Sequence, residues 1–176
     1  MAKRIVKVNR APVLTLWGAV VAQRLGYERD TALTLGKAVA GLNAQSKGRM
    51  LGIFGPPKAA ERGGPPKKVG LGEDFWIELC NRPVPVKSTP GGIRAVIKDK
   101  PIDPAGVEKY LESKFGVDLQ AVRDAMTRLA AAFKPEELAD AAYDLYERFR
   151  PAIDPGTRGW GQKGELDLDF IQSLAK

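Results

Sequence analysis

The chain contains no histidine. That absence removes Ser-His-Asp and Cys-His nucleophilic catalysis, the usual zinc sites and the commonest general base near neutral pH. Asp, Glu, Lys and Tyr could still do chemistry, but no spacing singles one of them out. No catalytic residue, metal ligand or cofactor is therefore expected, and an enzyme ranks third among the functional readings. Cysteine is nearly absent too. Cys80 stands alone, so no intramolecular disulfide can form, and a reducing, cytoplasmic setting fits. Long apolar runs are missing. The longest is broken by Gln23 and Arg24, short of the roughly 18 apolar residues that a spanning helix needs. The first charges, Lys3 and Arg4, are followed by no apolar core of a secretory signal. No membrane partner is expected.

What is present is enough to fold. The 176 residues are 44% hydrophobic and 28% charged. A chain of this length buries about 70% of the surface its unfolded form exposes. The charge is uneven. Residues 1–70 hold thirteen Lys and Arg against three acids, a net +10, while the remainder is −3, giving +7 overall. Such asymmetry points to an anionic partner for the N-terminal part: nucleic acid, another polyanion or an acidic protein. The plainer alternative is a solvated basic surface that keeps the protein soluble.

Residues 3–8 read as a short strand or a basic arm. Pro12 looks like the start of a helix, with Leu14, Trp17, Val21 and Leu25 at helical spacing and Gly26 as its stop. Asp30 is placed to cap a second helix running to about Ser46, with Ala32, Leu35, Val39 and Leu42 inward. Ala32, Gly36 and Ala40 form a stripe of small residues along which another helix can approach closely. Residues 48–72 hold seven glycines and four prolines and read as a flexible loop or linker. They lack the Gly-x-x-x-x-Gly-Lys-Ser/Thr pattern of a phosphate cradle. A hairpin follows: Phe75–Cys80, a turn at Thr89–Gly92, and Ile93–Ile97. Pro83 and Pro85 mark an edge or a bend.

The C-terminal part reads as helical. Asp103 and Pro104 open a helix ending at Gly116. Asp118 opens another, with Leu119, Val122, Met126, Leu129 and Phe133 on one face. Pro135 opens a third, with Leu138, Ala142, Leu145 and Phe149 inward, stopped by Pro151. Residues 159–164 read as a loop carrying Trp160, and 165–174 as a short last helix in which Glu165, Asp167 and Asp169 form a polar N-terminus. Cys80 reads as core.

One motif-like feature remains. Residues 18–37 follow a helix-turn-helix pattern, with Ala22 and Gly26 four apart and Val21, Leu25 and Leu35 in apolar slots. On that reading the second helix presents Arg29, Thr34, Lys37, Asn43 and Gln45 to a major groove. Lys47 and Arg49, then Lys67 and Lys68, extend the footprint along phosphates.

The expected fold is α+β and mainly α-helical: an N-terminal helix pair, a Gly/Pro-rich loop, one β-hairpin, then three to four helices. By segment, 1–50 is the basic helical part, 51–72 the loop, and 73–176 the hairpin with the helical part. The expected function is a non-enzymatic binding protein, associated with nucleic acid through its basic N-terminal region. The alternative is a protein-interaction or scaffold module with no nucleic-acid binding.

Overall fold

The computed structural model describes residues 5–46, 74–79, 82–97, 100–151 and 164–175. The expectations for the 48–72 loop, Cys80 and Trp160 lie outside those residues. The fold is α+β and mainly helical, as the sequence predicts. Strand β1 (Ile5–Val8) leads into helices α1 (Arg10–Arg24) and α2 (Arg29–Ser46). Four strands follow: β2 (Asp74–Leu79), β3 (Arg82–Thr89), β4 (Gly92–Ile97) and β5 (Lys100–Pro101). Helices α3 (Pro104–Phe115), α4 (Leu119–Ala131) and α5 (Pro135–Phe149) come next, then β6 (Gly164–Asp167) and α6 (Leu168–Ser173). No described helix is long and apolar enough to cross a membrane.

Helix α1 is the centre of the core. Every residue from Pro12 to Ala22 is buried, as expected of a helix that is apolar on all sides and surrounded by other elements. Its neighbours are α2, α3, α4 and α5. The helix starts two residues before Pro12, and Asn9 at its N-cap makes no side-chain cap bond. The chain leaves α1 through Gly26, whose φ of 112° suits glycine.

The stripe of small residues on α2 meets α1 as expected, but glycine faces glycine. A Cβ added at Gly18 would lie 2.9 Å from the Gly36 Cα. One added at Gly36 would overlap the Thr15 carbonyl oxygen and lie 2.8 Å from the Ala19 nitrogen. The two backbones are thus in contact with no side chain between them. Trp17, Val21, Leu35 and Val39 are all buried around this crossing.

The strands β2-β3-β4-β5 form an antiparallel meander that packs on α2 through β3 and β4. Three principal strands replace the expected single hairpin, because β3 carries Pro83 and Pro85 within it. The register explains how. Pairing of β3 with β4 covers only Val86–Thr89, whereas both prolines face β2, opposite Glu78 and Trp76. Each proline therefore sits where β3 has a paired strand on one side only, the position proline tolerates in a sheet.

The C-terminal helices form largely as read. Asp103 accepts a hydrogen bond from the Ala105 N–H at 3.1 Å, Pro104 opens α3, and Gly116 closes it with φ 58°. Asp118 departs from expectation. It lies in a 3-10 turn, Gly116–Asp118, and makes no side-chain cap bond. Asp30 departs likewise, since α2 begins one residue earlier at Arg29. Residues 165–174, read as one short helix, instead divide between β6 and α6. Strand β6 pairs antiparallel with β1, Val6 opposite Leu166, and Asp167 caps α6 by accepting from the Phe170 N–H at 3.2 Å.

Polar groups of α1 fasten the last two long helices. The Trp17 indole donates to the Ala142 carbonyl at 2.8 Å and meets the Phe149 ring edge-on at 5.2 Å. Arg24 donates to the Phe133 carbonyl at 2.8 Å, just beyond α4, and Arg10 to the Pro151 carbonyl at 2.9 Å, just beyond α5. Each arginine thus ties α1 to the chain just past the end of a C-terminal helix.

Two consequences are measurable by denaturation. Gly36→Ala forces backbone apart from backbone, and overpacking of this kind costs typically 1–3 kcal/mol, so a loss of about 3 kcal/mol or more in unfolding free energy is expected. Gly41, on the same helix, is exposed, and a Cβ there meets nothing within 4 Å. Gly41→Ala should stabilise by about 1 kcal/mol through helix propensity alone. The second consequence concerns pH. Burial, and to a smaller extent neighbouring Tyr143 and Glu147, push the Tyr146 hydroxyl up to about 12 against opposing effects of Arg150 and Arg10. The folded protein holds this proton more tightly than the unfolded chain, so the contribution is constant below about pH 10 and is lost as pH rises toward 12. Tyr146→Phe should flatten the fall in stability over that window, as read by chemical denaturation at stepped pH.

Candidate polyanion interface

The residues expected to face a groove separate into different environments. Thr34 is fully buried. Its hydroxyl donates to the Thr31 carbonyl at 2.8 Å and accepts from the Ala95 N–H at 3.0 Å. Thr31 in turn donates to the Ile93 carbonyl at 2.7 Å. The two threonines therefore stitch α2 to strand β4, and the sheet covers the helix face that a groove would need. From Thr31 to Ala40 every residue of α2 is buried except half-buried Lys37. Thr34 is therefore not presented to a groove, and the expectation for that residue is corrected: its hydroxyl joins helix to sheet.

Arg29 is exposed at the start of α2. Its guanidinium donates to Glu108 Oε1 at 3.0 Å and lies 3.8 Å from the Asp30 carboxylate. Arg123, from α4, donates to the same Glu108 oxygen at 2.9 Å. One carboxylate thus joins α2, α3 and α4. Arg94 lies beside this group, 3.9 Å from Asp30, and donates to the Gly91 and Ile93 carbonyls. An open cavity of about 520 Å³ lies against Arg29, Asp30, Asp103, Pro104, Glu108 and Lys109. Its lining carries three carboxylates and two cations, which is no preference for an anion.

Lys37 occupies a third environment. Its Nζ lies 3.7 Å from the centroid of the Tyr110 ring on α3, a cation–π contact. Lys114, one turn along α3, has its Nζ 5.9 Å from the same centroid. Burial, then the charge of Lys114, hold the Lys37 ammonium below its ordinary pKa, and burial pushes the Tyr110 hydroxyl up. Asn43 and Gln45 fall in the last turns of α2, their side chains outside the described residues, as are Lys47, Arg49, Lys67 and Lys68.

Of the expected set, the structure brings Lys37 together with Tyr110 and Lys114, which sequence reading passed over. Only the tertiary contact of α2 with α3 shows the lysine above the Tyr110 ring. No protein-family model, curated protein or solved structure matches the chain. Among the described residues no group of three or more Cys, Asp or Glu is placed to hold a metal ion.

The role of Thr34 has a direct test. Thr34→Val keeps the shape but leaves the buried Ala95 N–H without its acceptor, a loss of about 1–3 kcal/mol. Thr34→Ser should recover most of it. Equal stability of the valine and serine variants in urea titrations would show that the hydroxyl is not what joins helix to sheet.

Proposed function

We propose that the protein is a non-enzymatic binding protein that engages a polyanion, nucleic acid foremost, through phosphate contacts and without base readout by α2. The observation that supports this is where the positive charge falls. Between positions 47 and 68 the sequence holds six Lys and Arg against one acid, Glu61. That run follows directly on Ser46, the last residue of α2. By contrast, Arg10, Arg24 and Arg29 are directed at acceptors of the protein itself. The interface is therefore assigned to Lys37, Lys47, Arg49, Lys67 and Lys68. Arg29 and Thr34 are left to structural roles.

Contacts of this kind recognise charge spacing more than sequence. Each neutralised phosphate releases counterions, so six contacts would lose roughly a thousandfold in affinity between about 50 and 200 mM salt. Anisotropy titrations against several duplex and single-stranded sequences should show that steep salt dependence and little sequence preference. Lys67→Glu with Lys68→Glu should weaken binding to all of them alike. Failure to bind both duplex DNA and RNA at low salt would leave the protein-interaction reading as the better one.

A further inference from the structure

We propose that Lys37 and Lys114, converging on Tyr110 where α2 meets α3, form a binding point for a single phosphate group. The inference rests on the polyanion reading only for the source of that phosphate; the site itself stands on its own geometry.

Two like charges share one aromatic ring here, with Nζ atoms 3.7 Å and 5.9 Å from its centroid. Neither lysine forms an ion pair among the described residues, whereas Arg29, Arg94 and Arg123 each lie against a carboxylate. The electron-rich face of a tyrosine attracts a cation but carries no net charge. Two ammonium groups around it keep much of their mutual repulsion, and Lys37 also bears the cost of being half-buried. An anion placed against both groups offsets the repulsion and the burial together.

A phosphate fits this requirement better than a carboxylate does. Each ammonium offers three donors, and a phosphate group brings more acceptor oxygens than a carboxylate and, as a terminal group, up to two negative charges. Gly41, one turn beyond Lys37 on α2, is exposed, and a Cβ there meets nothing within 4 Å among the described residues. A bound polyanion would meet Lys37 and Lys114 at a fixed place on the helical body.

The test uses the full chain and sodium pyrophosphate as probe, with ionic strength held constant by sodium chloride. Binding to the folded state alone raises the unfolding temperature in proportion to RT ln(1 + [L]/Kd). A rise of a few degrees is expected for the wild type, and none for K37Q/K114Q. Should the double variant fail to fold, K114Q alone, altered at an exposed position, should show a reduced rise. An equal rise in wild type and variant, or no rise in the wild type, overturns the site. In parallel, the salt slope of duplex binding should fall by about 0.9 in the double variant, the loss of one phosphate contact. If the pyrophosphate effect appears and no nucleic acid binds, the site stands as one for small anions and the polyanion reading falls.

Discussion

The crossing of α1 over α2 at Gly18 and Gly36 sets the geometry on which the other contacts depend. A helix pair held apart by side chains buries the atoms of those side chains. A pair in backbone contact fixes its separation by hard repulsion, with no rotamer able to relax it. That distance places Thr31 and Thr34 at the height where their hydroxyls meet the carbonyl of Ile93 and the N–H of Ala95. It also carries Lys37 outward to the edge where α3 passes. A change of even one methyl group at the crossing would therefore be felt by the sheet and by the lysine pair.

Around this pair the protein encloses an apolar helix with arginine and tryptophan donors at its margins. Arg10, Trp17 and Arg24 each stretch from α1 to a carbonyl within or just beyond the C-terminal helices. A carbonyl acceptor satisfies the donor without cancelling the charge. The orientation of α4 and α5 against α1 is then a matter of directional bonds laid over nondirectional burial. This combination favours one arrangement among the many that would cover α1 equally well.

The elements were readable where a local signal exists. Period 3.6 in α1, α4 and α5, the Asp103-Pro104 cap and the stop at Gly116 all follow from neighbouring residues. The stripe Ala32-Gly36-Ala40 announced a close approach, though not that Gly18 would be its partner. What escaped reading depended on distant partners. β1 and β6 are four residues each, and neither has a pattern that names the other across the whole chain. β3 reads as an edge or a bend because its prolines argue against a central strand, and the register shows that they do sit where the strand is paired on one side only. Thr34 and Lys37 both looked available on a helix read alone. The sheet took the first into the core, and α3 gave the second an aromatic neighbour and a rival cation. Tyr110 and Lys114 had no sequence signal connecting them to Lys37, since helical spacing links residues within α3 and not across to α2.

The pairing of β1 with β6 joins segments at opposite ends of the described chain, Ile5 lying against Asp167. During synthesis, α1 and α2 leave the ribosome long before α4, α5 and β6 exist to cover them. For that interval the most apolar of the described helices has only one of the helices that later cover it. Chain elongation proceeds at roughly 5–20 residues per second, so the exposure lasts on the order of ten seconds. Helix α1 thus waits for most of its cover, and β6, made after every other described strand, is the one that pairs with β1.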